Sequence, residues 1–73
     1  MTTTRIPDDI AAEIYEASNS PTDWPRYEDR DTDVWWLTDY THDGDRVMLP
    51  GPGDLPLMLR RDAERLYGPL TPA

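Results

Sequence analysis

The 73-residue sequence lacks several residue types, and each absence excludes a class of chemistry or structure. It has no cysteine, which excludes disulfide bonds, thiol catalysis and cysteine-based zinc sites. It has no lysine, so it cannot form a Walker-type phosphate-binding loop. No apolar run approaches the roughly 20 residues that a membrane-spanning helix needs. We therefore expect a protein that does not enter membranes, and the lack of cysteine favours a cytoplasmic location.

Catalytic and cofactor-binding motifs are also incomplete. The single histidine, His42, is far in sequence from the serines Ser18 and Ser20, and nothing in their spacing suggests a nucleophilic triad. Gly51 and Gly53 alternate with prolines, which have no amide hydrogen to offer a phosphate. The sequence therefore predicts a non-enzymatic protein that needs no cofactor.

Three spaced aspartates, Asp29, Asp31 and Asp33, match the first three ligand positions of a calcium-binding loop. The sixth position of that loop should be glycine and is Val34. The twelfth should be glutamate and is Tyr40. We therefore expect these aspartates to form a solvated acidic segment and no metal site.

Acidic residues dominate the charge of the chain. Fifteen aspartates and glutamates face seven arginines, which gives a net charge of -8. Residues 23–45 hold eight of the carboxylates and only two of the arginines. Such a surface repels nucleic acid and anionic lipid and attracts basic partners. We therefore expect no direct binding of nucleic acid.

The first predicted element is a helix over about residues 7–18. Proline is favoured in the first turn, which Pro7 would occupy, and Ser18 to Pro21 should end the helix. The apolar side chains recur at helical intervals and form one stripe: Ile6, Ile10, Ile14 and Ala17. Another face carries an acidic stripe: Asp9, Glu13 and Glu16. Residues 19–33 show no period and are expected to form a long irregular acidic loop, held to the fold by Trp24 and Tyr27.

A β-hairpin is predicted next, with strands at about 34–40 and 45–49. Both segments are rich in β-branched, aromatic and aliphatic residues, and Asp43-Gly44 between them tolerates the positive φ of a tight turn. Because side chains alternate along a strand, Trp35 and Trp36 must point to opposite faces. Either both faces of the sheet are covered, or one of these tryptophans is exposed and can anchor a partner.

The C-terminal region allows two interpretations. A helix over 55–67 fits the apolar spacing, with Asp62 as its one misfit on the buried face. Alternatively, residues 55–60 form a third strand, and Asp62 caps a short helix over 63–67. We favour the longer helix. The ending Tyr67 to Ala73 resembles those of small proteins of actinobacteria and their phages, and this resemblance implies no activity or site.

Together these patterns predict one small α+β domain with an N-terminal helix, an antiparallel sheet built on the hairpin and a C-terminal helix. The expected function is binding to a basic surface of a larger protein, including the possibility that carboxylates imitate nucleic-acid phosphates. The alternative is a homo-oligomer or a minor component of a phage-type assembly, held by exposed aromatic residues. The candidate partner-binding residues are Trp35, Trp36, Asp29, Asp31, Asp33, Asp9, Glu13 and Glu16.

Overall fold

The computed structural model describes residues 3–19 and 23–73. In these residues the chain forms two helices and five strands. In chain order they are α1 (Asp8–Ala17), β1 (Arg26–Glu28), β2 (Val34–His42), β3 (Asp45–Pro50), β4 (Met58–Leu59), α2 (Arg60–Tyr67) and β5 (Thr71–Pro72). The strands form one antiparallel sheet in the order β4-β3-β2-β1-β5. The predicted α+β fold is confirmed.

The hairpin of β2 and β3 forms the centre of the sheet. Its two-residue turn holds Asp43 at φ 52° and Gly44 at φ 78°, the two positive values that a type I′ turn requires. The predicted hairpin is therefore confirmed, with β2 two residues longer than expected and β3 one residue longer.

A bulge interrupts the hairpin, because the register between β2 and β3 shifts between Leu37 and Thr41. Thr38 lies within this interval and is fully buried. Its hydroxyl donates to the carbonyl oxygen of Val47 at 2.7 Å and accepts from the amide of Tyr40 at 3.2 Å. The side chain thus provides hydrogen-bond partners for two main-chain groups in the irregular part of the ladder.

Both faces of the sheet are covered. On the α1 face, the buried core consists of Ile6, Ile14, Val47, Leu49, Leu57 and Leu59. On the α2 face, it consists of Trp35, Leu37, Met48, Met58 and Ala63. The apolar stripe predicted for α1 is confirmed, since Ile10 and Ala11 also pack on the first core. The sequence therefore supplies two small cores, one on each face of the sheet, which explains why three consecutive residues of β3 (Val47, Met48 and Leu49) are apolar and buried.

The favoured C-terminal helix over 55–67 is confirmed over residues 60–67 and is wrong over residues 55–59. Met58 and Leu59 pair with Met48 and Val47 as a strand, and α2 begins only at Arg60. The alternative, a strand over 55–60 followed by a helix over 63–67, is closer. The strand begins later than this alternative predicted, at Met58, and the helix begins earlier, at Arg60. Pairing with β3 outweighs helical spacing here because it buries Met58 on one face of the sheet and Leu59 on the other.

Asp62, the misfit of the helical pattern, is 5% exposed and has partners. One carboxylate oxygen accepts from the amide of Thr4 at 3.0 Å, and the other accepts from the guanidinium of Arg65 at 3.0 Å. A buried carboxylate is tolerated when it is paired and hydrogen-bonded in this way. Asp62 therefore joins α2 to the segment that precedes α1.

The prediction that residues 19–33 are irregular is also wrong in part, because residues 26–28 form β1. This strand pairs with β2 on one side and with β5 on the other. Its sequence, Arg-Tyr-Glu, shows no apolar alternation, so only its main-chain partners identify it as a strand. Trp24 and Tyr27 do anchor the segment, one against each core. Residues 20–22 of the predicted loop lie outside the described residues.

Candidate interaction surface

The structure separates the predicted partner-binding residues into four places. Trp35 and Asp29 lie in the interior, and Trp36 is half-buried in a groove. The others lie on the outer face of α1 (Asp9, Glu13 and Glu16) and in the turn between β1 and β2 (Asp31 and Asp33).

Asp29 is only 5% exposed and organises the turn that follows β1. One carboxylate oxygen accepts from the amides of Asp31 at 2.8 Å and Asp33 at 3.0 Å. The other accepts from the indole N–H of Trp35 at 2.9 Å. The expectation that Asp29 is a solvated charge facing a partner is therefore wrong. It turns inward because three donors need an acceptor there.

Trp35 is fully buried on the α2 face, so it cannot be the exposed anchor that the sequence allowed. Its ring lies 5.5 Å from that of Tyr67, centroid to centroid, with the planes tilted by 35°. The indole N–H, which a buried tryptophan must satisfy, is taken by Asp29. The sequence showed that the two tryptophans diverge but not that α2 covers Trp35.

The acidic stripe of α1 lies on the surface. Asp9, Glu13 and Glu16 are exposed, and none has an ion pair or side-chain hydrogen bond within the described residues. The last turn of α1 contains no basic residue, so Glu16 faces the negative end of the helix dipole without compensation. Like charges at intervals of three or four residues destabilise a helix by about 0.2–0.5 kcal/mol per pair. The stripe therefore costs α1 stability.

Most arginines are engaged within the fold. Arg5, Arg46, Arg61 and Arg65 form ion pairs with Asp8, Asp39, Asp43 and Asp62. Arg30 donates to the carbonyl oxygen of Leu66 at 2.6 Å, and the Arg60 guanidinium lies 5.7 Å from the ring centroid of Tyr27. Of these contacts, the Arg5–Asp8 pair lies at the start of α1 beside Asp9, while the three carboxylates of the stripe have no ion pair within the described residues.

An open groove of about 450 Å³ lies between the C-terminal end of α1 and the end of the hairpin where β2 begins. Its lining is aromatic and proline-containing and, among residues 3–19 and 23–73, includes no charged residue. The main lining residues are Tyr15, Trp24, Trp36, Leu49, Pro50 and Gly51. Tyr15 is 50% exposed, the one large apolar side chain that is exposed in the described part of the chain.

The sequence identified Trp36 as a candidate partner-binding residue but not Tyr15 and Pro50, which lie beside it in the groove. Tyr15 follows Ile14 on α1, and Pro50 ends β3, so they meet Trp36 only after α1 packs on the sheet. A signal for Tyr15 did exist. It lies outside the apolar stripe of α1, where an aromatic residue has no packing role in an isolated amphipathic helix.

Gly51 brings the main chain close to the groove. Its amide donates to the carbonyl oxygen of Val34 at 2.7 Å. A Cβ at this position would lie 2.9 Å from that oxygen and 3.6 Å from the Trp36 ring. Glycine therefore allows the strand end to pass beside the indole, which keeps this wall of the groove flat.

The residues considered for catalysis lie apart. Ser18 lines the groove near the start of β2, and its hydroxyl donates to the carbonyl oxygen of Tyr15 at 2.7 Å. His42 lies at the other end of β2, roughly 20 Å along the strand from Trp36 at about 3.3 Å per residue. Ser20 lies outside the described residues.

No group of three or more histidine, aspartate or glutamate side chains within residues 3–19 and 23–73 is arranged to hold a metal ion. In the turn with the calcium-like spacing, the Asp29 carboxylate cannot join Asp31 and Asp33 in a metal site, because it is bonded to the Trp35 indole and to main-chain amides. Neither helix of the described chain is long and apolar enough to cross a membrane.

Comparison of the chain with protein-family models, with curated proteins and with solved structures gives no match. The inference of function therefore depends on the surface described above.

Proposed function

We propose that this protein is a non-enzymatic interaction module that binds a basic surface of a larger protein. The observation that supports the proposal is a stripe of three exposed carboxylates on α1 that have no ion pair among the described residues: Asp9, Glu13 and Glu16. This arrangement disfavours the helix that carries it, so a cationic partner would relieve a repulsion already present in the free protein.

We place the main contact on α1 and not in the turn between β1 and β2. That turn exposes Asp31, but Arg30 beside it is exposed as well and reduces the local negative charge. At the start of α1, Arg5 pairs with Asp8 at 3.6 Å, away from Glu13 and Glu16 along the helix. A partner approaching Glu13 and Glu16 therefore meets carboxylates that have no ion pair within the described residues. Asp31 and Asp33 remain predicted secondary contacts with the partner.

A sharper form of the proposal is that α1 occupies a groove which normally binds nucleic acid. At about 1.5 Å per residue, Asp9 and Glu13 are separated by about 6 Å along the helix axis, and Glu13 and Glu16 by about 4.5 Å. Phosphates of one DNA strand are spaced by about 3.4 Å along its axis. The two spacings are of the same order, which makes imitation of a phosphate row geometrically reasonable.

The test is calorimetric titration with an arginine-rich peptide at low and at high salt, using two double variants that change the net charge equally. Glu13→Gln with Glu16→Gln removes two charges from α1. Asp31→Asn with Asp33→Asn removes two from the turn. At low salt we expect the α1 variant to bind the peptide roughly fivefold more weakly than the native protein, and the turn variant to lose less affinity. High salt should abolish the difference in affinity between the two variants. Equal losses in both variants would show that only net charge matters and would refute the assignment to α1.

The alternative, a homo-oligomer formed by pairing of hairpin edges through exposed aromatic residues, receives less support from the geometry. Both hairpin strands have neighbours along part of their length, since β1 pairs with residues 34–36 of β2 and β4 pairs with residues 47–48 of β3. The edges of the sheet are the two-residue strands β4 and β5, and short edge strands are poor templates for pairing. Light scattering at low and high salt tests this alternative, which requires a dimer or larger species at both.

A further inference from the structure

The groove beside Trp36 has the features of a recognition site for a peptide side chain. It presents three aromatic rings, Tyr15, Trp24 and Trp36, from three separate segments of the chain. Its volume of about 450 Å³ exceeds that of one large side chain and lies within the range of small-ligand sites, about 300–1,000 Å³. Exposed aromatic residues that converge in a concave surface are typical anchor points in interfaces.

The charges around the groove indicate what it would hold. Three acidic residues are sequence neighbours of lining residues and do not themselves line the groove: Glu16 follows Tyr15, Asp23 precedes Trp24, and Asp54 follows Gly53. All three are exposed. Aromatic faces attract cations, and carboxylates around them add a longer-range attraction. Both kinds of interaction favour a planar, weakly hydrated cation such as a guanidinium.

We propose that this groove binds an arginine side chain of a peptide segment in the partner, with its guanidinium over the aromatic rings. This inference rests on the proposed function and gives the basic partner a specific anchor. The groove lies at the C-terminal end of α1, so the stripe and the groove form a continuous surface through Tyr15 and Glu16. Arg26 is the register partner of Trp36 between β1 and β2 and does not line the groove.

The experiment uses nuclear magnetic resonance of the indole N–H groups during titration with a short arginine-containing peptide. The control peptide carries citrulline in place of arginine, which preserves the shape of the side chain and removes its charge. We expect the arginine peptide to shift the signals of Trp24 and Trp36. Trp35, whose N–H is bonded to Asp29 in the interior, serves as an internal reference that should not move. Equal shifts with citrulline, or shifts of Trp35 alone, would overturn the inference.

Substitutions at Tyr15 test the role of the ring, because its half-exposed position tolerates change. Tyr15→Phe keeps the aromatic face, and we expect its affinity for the arginine peptide to be unchanged. Tyr15→Leu keeps the apolar bulk but removes the π-system, and we expect a loss of roughly two- to fivefold. Equal affinity of the two variants would exclude a cation–π contribution at this position.

The outcomes separate this inference from the broader proposal. If the arginine peptide shifts main-chain amides of α1 but not the indoles of Trp24 and Trp36, the acidic module stands and the groove assignment is wrong. If the peptide shifts neither set, both proposals fail.

Discussion

The indole N–H of Trp35 donates to the carboxylate of Asp29 at 2.9 Å, in a region where both side chains are almost fully buried. This hydrogen bond joins the central strand β2 to the turn that precedes it. The same carboxylate accepts two main-chain amides of that turn. One residue therefore fixes both the orientation of a core tryptophan and the path of the chain that leads to it.

Replacement of Asp29 should destabilise the protein strongly. Asp29→Ala removes the acceptor of the Trp35 indole and leaves a buried donor unsatisfied, so we expect a loss of about 2–3 kcal/mol in the free energy of unfolding. Asp29→Asn should also be destabilising, because one amide group cannot replace both acceptor oxygens. Urea denaturation measures the effect. Asp31→Asn is the matched control, and it should change stability by less than about 0.5 kcal/mol because its side chain is exposed.

Gly68 should not tolerate a side chain. A Cβ at this position would clash with the carbonyl oxygen of Glu64 and would crowd its carboxylate. Because the Gly68 amide also donates to that carbonyl at 3.0 Å, the main chain cannot move away without losing a hydrogen bond. We expect Gly68→Ala to cost about 2–3 kcal/mol.

The control for Gly68 is Gly53→Ala, since a Cβ at Gly53 would meet nothing within 4 Å. We expect this variant to be neutral or more stable by up to about 1 kcal/mol, because alanine restricts the unfolded chain. Equal thermal midpoints for the two variants would contradict the steric explanation.

Asp45 should act as the N-terminal cap of α2 although it lies in β3. The residue at the cap position, Leu59, has no polar side chain, and the Asp45 carboxylate instead accepts from the amide of Arg61 at 2.9 Å. We expect Asp45→Ala to lower stability by about 1 kcal/mol and Asp45→Asn to lower it less, because asparagine is also a good cap. If both variants lose the same stability, Asp45 stabilises α2 through its charge and not through a capping hydrogen bond. Thermal denaturation of both variants at high salt separates the two explanations.

Thr32 lies in the turn between β1 and β2 at φ 67°, a conformation that a β-branched residue rarely adopts. Asparagine tolerates the left-handed region better, so we expect Thr32→Asn to raise the free energy of unfolding by about 0.5–1 kcal/mol. Thr41→Asn, at an exposed strand position, is the control and should lower stability by a few tenths of a kcal/mol. A decrease for Thr32→Asn would show that the Thr32 hydroxyl, which donates to the Asp31 carbonyl oxygen at 2.5 Å, outweighs the backbone strain.

The acidic stripe predicts a conflict between stability and binding. Glu13→Lys replaces repulsion from Asp9 with an attractive pair at an interval of four residues. We expect a gain of about 0.5–1 kcal/mol at low salt that diminishes as salt is added. The same variant should bind an arginine-rich peptide more weakly than the native protein. A variant that gains stability and keeps its affinity would remove the stripe from the proposed interface.

The elements that were predictable are those whose signal is local. The Asp43-Gly44 turn and the alternation on either side of it define the hairpin, and the spacing of Ile6, Ile10 and Ile14 defines α1. In contrast, β1 is a strand only because β2 and β5 pair with it, and its three residues carry no period of their own.

In the candidate site, too, features with a local sequence signal could be predicted, and features that depend on tertiary contacts could not. The exposed acids of α1 follow from its helical period and could be identified. The inward orientation of Asp29 depends on an indole six residues away, and the groove depends on three segments that meet only in the folded chain. The alternating leucines near β4 fitted strand and helix templates alike, and pairing with β3 decides between them.

The two ends of α2 imply an order of events in folding. Asp45 satisfies an amide at its first turn from 16 residues away, and Arg30 satisfies a carbonyl at its last turn from 36 residues away. A helix of eight residues is too short to persist alone in water. We therefore expect the hairpin of β2 and β3 to form in the transition state and α2 to form afterwards on that template. Substitutions in α2 should then accelerate unfolding while leaving the folding rate nearly unchanged.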